Sequence, residues 1–68
     1  MTSADAVARA VTWQPGTDVS HPYQAVVDGR RWVVRLNDFP AEPLFTLLVD
    51  DEAVIDLEQW PAAWTRPA

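Results

Sequence analysis

The sequence predicts an α+β fold: a small four-stranded antiparallel β-meander, with a short N-terminal helix and a C-terminal tryptophan-containing turn that cover one face of the sheet. The chain has 68 residues, enough for a single domain over residues 1–68. Apolar residues make up 49% of it and fall in short stretches bounded by turn residues, as is typical of β-strands. The chain has no cysteine, so its four tryptophans are expected to compensate for the absence of disulfides.

The N-terminal stretch is predicted to form a short helix that runs into an extended segment. Ser3 suits the position that caps a helix, and Asp5 follows in the first turn, where a negative charge complements the helix dipole. A strand that ends at Trp13 is the competing interpretation, and disorder over residues 1–12 is the third. The pattern leaves these alternatives open.

The clearest signal is a β-hairpin over residues 23–27 and 30–36, which follows a predicted loop at residues 15–22. Asp28-Gly29 joins the two strands, and this pair is preferred in two-residue turns because both central positions adopt positive φ. The turn fixes three opposing pairs: Val27 with Arg30, Ala25 with Trp32, and Tyr23 with Val34. One face of the hairpin is then apolar and holds Tyr23, Ala25, Val27, Trp32, Val34 and Leu36.

A second hairpin is predicted over residues 44–49 and 53–58, around an acidic turn. A three-residue loop at residues 51–53 would gather the apolar side chains on one face, whereas a two-residue loop would place Asp56 opposite Leu47. The pattern favours the odd loop, but no glycine fixes the register. The predicted core consists of Tyr23, Val27, Trp32, Val34, Leu36, Phe45, Leu47, Val49, Ile55 and Leu57.

The C-terminal segment is predicted to cover the open end of this core. Pro61 suits the first position of a helical turn, which would place Trp60 and Trp64 on one side. The two rings either cap the core or form an exposed contact site, and tryptophan is enriched at the centres of interfaces. Fraying is the alternative for residues 1–10 and 65–68.

The charge balance narrows the class of partner. Ten acidic residues against five arginines give a net charge of −5, which argues against binding of nucleic acid or an anionic membrane. No apolar run is long enough to span a bilayer, and no secretory signal is visible, so a soluble cytoplasmic protein is expected. Abundant alanine and arginine without lysine suggest bacterial coding.

No residue pattern indicates catalysis, a cofactor or a metal centre. His21 is the only histidine and lacks a G-x-S-x-G nucleophile turn. The acidic turn lacks the alternating carboxylates and central glycine of a calcium loop. Arg31 and Arg35 are expected to pair across strands with acids such as Asp56 or Glu58.

These observations favour a small acidic protein-interaction module without catalytic activity, of the accessory, inhibitor, antitoxin or immunity kind. Its partner is expected to present a basic surface. The candidate contact residues are Trp60, Trp64, Asp50, Asp51, Glu52, Asp56 and Glu58. One alternative is a homodimer formed through a sheet edge or through the Trp60/Trp64 end. A further alternative is a metal-binding or hydrolytic protein that uses His21 and the acidic turn.

Overall fold

A computed structural model describes residues 3–67 and shows a mainly antiparallel β-structure with one short helix. The elements are α1 (Ser3–Ala8), β1 (Val11–Thr12), β2 (Gln14–Asp18), β3 (His21–Val27), β4 (Arg30–Leu36), β5 (Phe45–Val49), β6 (Glu52–Leu57) and β7 (Trp64–Thr65). The main sheet has the order β2-β3-β4-β5-β6, with every pair antiparallel, and β1 pairs with β7 in parallel. The predicted antiparallel sheet is confirmed, but it has five strands rather than four.

The described part of the chain contains no helix with the length and hydrophobicity that a membrane crossing requires.

The hairpin of β3 and β4 has the predicted register. Its opposing residues are Val27 with Arg30, Ala25 with Trp32, and Tyr23 with Val34. Asp28 has a φ of 52° and Gly29 a φ of 76°, so both central residues of the turn adopt the left-handed conformation. The register could be predicted from the sequence because the turn residues and the side-chain alternation indicate the same pairing.

The predicted loop at residues 15–22 is wrong, because most of it belongs to β2 and to the start of β3. Pro15 lies opposite Tyr23 in a strand at the edge of the sheet, where the missing N–H of proline can be tolerated. A Cβ at Gly16 would lie 1.7 Å from the backbone oxygen of His21, so the two strands approach too closely for a side chain. Both residues therefore serve an irregular edge strand.

The turn between β5 and β6 has two residues, so the predicted three-residue loop is wrong. Asp50 and Asp51 occupy it with φ values of 51° and 68°. Next to the turn Val49 lies opposite Glu52, but farther along Leu47 lies opposite Ile55, so one residue of β6, Val54, forms a bulge. The bulge restores the alternation and gathers the expected apolar residues.

The core lies on one face of the main sheet, beneath α1, β1, β7 and the C-terminal turn. Its buried residues are Ala6, Val11, Trp13, Val27, Trp32, Val34, Phe45, Leu47, Val49, Leu57 and Trp64. Tyr23 and Ile55 pack against this cluster in partly buried positions. The prediction is wrong for Leu36, which is 45% exposed because it is the last residue of β4.

Tryptophan rings join the cover to the sheet. Trp13 is fully buried, and its ring centroid lies 5.0 Å from that of Trp64 and 6.4 Å from that of Trp32. The indole N–H of Trp64 donates to the backbone oxygen of Ala6 at 3.1 Å, so the C-terminal segment satisfies a carbonyl of α1. Helix α1 and the C-terminal segment around Trp64 thus contact each other above the inner face of the sheet.

Candidate functional site

The carboxylates predicted to contact a partner lie along the β5–β6 hairpin. All five are exposed: Asp50 and Asp51 in the turn, Glu52 and Asp56 in β6, and Glu58 directly after it. In the strand order of the sheet β6 is an end strand, so these side chains border its open edge. We call this surface, residues 50–58, the acidic edge.

The two aspartates of the turn are partly neutralised by arginines of β4. Asp50 accepts a hydrogen bond from Arg30 Nη1 at 3.2 Å and another from the backbone N–H of Arg31 at 3.2 Å. Asp51 forms an ion pair with Arg31, with 3.5 Å between Oδ1 and Nη1. Within residues 3–67 no ion pair or hydrogen bond engages the carboxylates of Glu52 and Glu58. The charge available to a partner is therefore concentrated on β6 and its C-terminal end.

The two predicted tryptophans lie at the other end of the hairpin. Trp64 is 3% exposed and belongs to the core. Trp60 is half-buried against Tyr23 and Phe45, and the guanidinium carbon of Arg66 lies 4.9 Å from its ring centroid. Strand β6 spans about 17 Å between the turn and this end. The structure therefore does not combine the acidic turn and the tryptophans into one compact patch.

His21 forms a local interaction with Asp18 at the edge of the sheet. Its Nδ1 lies 3.0 Å from Asp18 Oδ1, which also accepts the backbone N–H groups of Ser20 and His21 at 2.9 Å each. The side-chain hydrogen bond from His21, followed by the other contacts, lowers the pKa of Asp18. This arrangement caps the turn between β2 and β3.

His21 and the acidic turn are far apart. His21 lies near the end of β4 that carries Leu36, since Ser20 O accepts the N–H of Leu36 at 2.8 Å, whereas Asp50 lies beside Arg31 at the opposite end. A site that used both would have to span the length of β4. Within residues 3–67 no three histidine and acidic side chains are grouped in a way that could hold a metal ion.

A chain of hydrogen bonds crosses the sheet face opposite the core. Arg35 Nε donates to Asn37 Oδ1 at 3.0 Å, Asn37 Nδ2 donates to Thr46 Oγ1 at 2.7 Å, and Thr46 Oγ1 donates to Asp56 Oδ1 at 2.8 Å. Thr46 is 1% exposed. The expected direct pairing of Arg35 with Asp56 is therefore replaced by a relay through two neutral side chains. Alternation alone places Arg35, Thr46 and Asp56 on one face, but not Asn37, which lies beyond β4.

No protein-family model, curated protein or solved structure matches the chain.

Proposed function

We propose that the protein is a binding module for a basic segment of another protein, which adds as a strand to β6. The observation that carries this proposal is the position of β6 at the end of the main sheet, with exposed carboxylates along it. The outer side of an edge strand presents backbone N–H and C=O groups without sheet partners. An extended segment can pair with them, and its side chains then provide specificity.

The opposite edge is a poorer place for such pairing. Strand β2 contains Pro15, which has no N–H to donate, and its register is interrupted between Pro15 and Asp18. Edges of this kind resist the addition of a strand. Strand β6 carries its bulge at Val54 but keeps a donor at every residue, so it supports the proposal better.

The charge of the acidic edge favours a basic partner over a second copy of the same strand. Glu52, Asp56 and Glu58 all lie on or beside β6. Two β6 strands paired with each other would bring these carboxylates together, and like charges on adjacent strands are destabilising. A lysine- or arginine-bearing strand avoids this repulsion, and its association is accelerated by electrostatic attraction that salt screens.

Site-specific photocrosslinking in the producing cells tests where the partner binds. A photoreactive amino acid replaces Val54, which is 38% exposed on β6, or Val19, which is 89% exposed beside the β2 edge and serves as the control. We expect a heterologous adduct from position 54 that is absent from position 19. The absence of a selective adduct at position 54, or an adduct only with the protein itself, would contradict the proposal.

Charge reversal then tests the chemistry with the purified partner. Glu58→Lys should weaken binding by about three- to tenfold at low salt and reduce its salt dependence. Asp38→Lys makes the same charge change in the connection after β4 and is the matched control. Equal effects of the two substitutions would show that only net charge matters, which the proposed edge pairing does not allow.

A further inference from the structure

The strand register defines which side chains lie on the sheet face opposite the core, here called the outer face. Side chains directly opposite each other in neighbouring strands share a face. The register therefore places seven residues of β4, β5 and β6 on this outer face: Arg31, Val33, Arg35, Thr46, Leu48, Ala53 and Asp56. Within residues 3–67, the buried residues of α1, β1 and β7 all belong to the core cluster on the inner face. No described helix or strand thus forms a layer over the outer face.

The outer face has a regular distribution of charge. One row across the three strands consists of Arg35, Thr46 and Asp56. The row beside it is apolar and consists of Val33, Leu48 and Ala53. Val33 is only 4% exposed, whereas Leu48 is half-buried and Ala53 is exposed, so the accessible apolar surface lies on β5 and β6. Beyond that row Arg31 of β4 lies beside Asp51 of the turn. The positive groups are thus on β4, and the negative groups are on the β6 side.

The charges within the outer row are too far apart to neutralise each other directly. Strands β4 and β6 are separated by β5, which places their axes about 10 Å apart. Arg35 uses its Nε in the bond to Asn37, and Asp56 uses Oδ1 in the bond from Thr46. The remaining donors of the guanidinium and the second carboxylate oxygen are left for an external partner of complementary charge.

We propose that a second copy of this chain packs face to face on this surface, around a twofold axis that runs along β5. Such an axis places β4 of one copy over β6 of the other, so each contact occurs twice. Arg35 then faces Asp56 of the other copy, and Ala53 lies over β4 of the other copy, between its Arg31 and Arg35. Arg31 faces Asp51, while Leu48 meets its own equivalent at the axis. Both arginines of the outer face thus meet a carboxylate, and Leu48 and Ala53 provide the apolar contact.

A second copy fits this face better than an unrelated acidic or basic partner, because both charge signs are present and are arranged self-complementarily. Aligned sheets pack with a rotation of about 30°, which moves the ends of the rows by a distance that an arginine side chain can span. The three-strand footprint is small compared with the ~800 Å² that each partner contributes to a stable interface. We therefore expect a weak, concentration-dependent dimer that leaves the open edge of β6 accessible.

Exchange of charges between two variants tests this arrangement directly. Arg35→Glu and Asp56→Lys each create two repulsive contacts in a homodimer, so each variant alone should dimerise about tenfold more weakly than the wild type. An equimolar mixture of the two restores both contacts, Glu with Lys and Asp with Arg. Sedimentation equilibrium at low salt should show a heterodimer of nearly wild-type affinity. Far-ultraviolet circular dichroism confirms that each variant is folded.

Arg66→Glu and Asp5→Lys provide matched controls, because they make the same charge changes in the C-terminal segment and in α1, which lie on the side of the inner face. Each should dimerise with the affinity of the wild type, and mixing the two variants should not increase that affinity. If Asp56→Lys fails to fold, Asp56→Asn replaces it. Alone it should weaken the dimer, and its mixture with Arg35→Glu should recover one of the two charge contacts. In a mixed-label sample, intermolecular Overhauser contacts should join Leu48 of one copy to Leu48 of the other. A wild-type protein that stays monomeric at ~1 mM, or a mixture that does not recover, would overturn the proposal.

Discussion

The hydrogen bonding of the buried indoles leads to an unequal cost for the same substitution at two sites. Trp32 and Trp64 are both buried, with exposures of 0% and 3%. Trp64 donates its N–H to Ala6 O, whereas the N–H of Trp32 has no hydrogen-bond acceptor in the structure. Phenylalanine removes the indole N–H and comparable volume at either position. The packing losses should therefore be similar, and the difference should come from the polar groups.

At position 64 the substitution removes a hydrogen bond and leaves the buried carbonyl of Ala6 without that partner, which costs about 1–3 kcal/mol. At position 32 it removes an unpartnered buried donor and recovers up to about 1–3 kcal/mol. Trp64→Phe should therefore reduce the free energy of unfolding by about 2–6 kcal/mol more than Trp32→Phe. A domain of this length has only about 3–10 kcal/mol in total, so Trp64→Phe will be close to unfolding at room temperature.

Urea denaturation followed by circular dichroism measures this difference, with the slope of each transition used to verify two-state behaviour. Thermal unfolding gives a second measure, since 1 kcal/mol corresponds to about 4–8 °C in a domain of this size. Trp13→Phe is an internal control, because the N–H of Trp13 also lacks an acceptor and its variant should resemble Trp32→Phe. Equal losses at positions 32 and 64 would refute the reasoning and indicate a buried water or a ring as the acceptor for Trp32.

Two further substitutions test the β2–β3 turn. Gly16→Ala should abolish the pairing of β2 with β3, since the added methyl would lie 1.7 Å from His21 O. Gly29→Ala meets no atom within 4 Å and costs only the strain of its φ of 76°, about 1–2 kcal/mol. Thermal unfolding should show a larger loss of melting temperature for Gly16→Ala, and the reverse ranking would contradict the register at Gly16. The lowered pKa of Asp18 means that this carboxylate stabilises the fold above its unfolded pKa, and that the contribution is lost as pH falls through the folded value. Asp18→Asn should therefore flatten the fall in melting temperature during acidification, and an unchanged acid profile would exclude this contribution.

The first hairpin was predictable because independent signals coincided. Asp28-Gly29 fixes a two-residue turn, and the resulting register places Tyr23, Ala25, Trp32 and Val34 on one face. The second hairpin lacked such agreement. Asp50 and Asp51 adopt positive φ without glycine. The bulge at Val54 then shifts the register by one residue, so that Leu47 lies opposite Ile55. The sequence therefore predicted which side chains of the second hairpin share a face, but not the combination of a two-residue turn and a bulge that places them there.

Strand β2 was not predicted because Pro15-Gly16 is compatible with both a turn and an edge strand. The pair is typical of turns, but at a sheet edge proline lacks only a donor that the ladder does not need, and glycine permits a close backbone approach. Only the position of the strand in the sheet distinguishes these cases. The hydrogen-bond relay on the outer face was missed for a similar reason, since Asn37 joins Arg35 to Thr46 from beyond the end of β4.

The location of the tryptophans determines which surfaces of the sheet are left uncovered. A six-residue helix, a two-stranded ribbon and one turn are a thin cover for the main sheet, and large rings on the inner face compensate for this. Within residues 3–67, neither the outer face nor the edge of β6 is therefore covered by another helix or strand. Asp56 borders both of them. Contacts that draw its carboxylate toward a second copy leave less negative charge for a basic segment at the edge, and by linkage a bound segment must weaken the dimer by the same factor. The two surfaces are thus coupled through the side chain of Asp56.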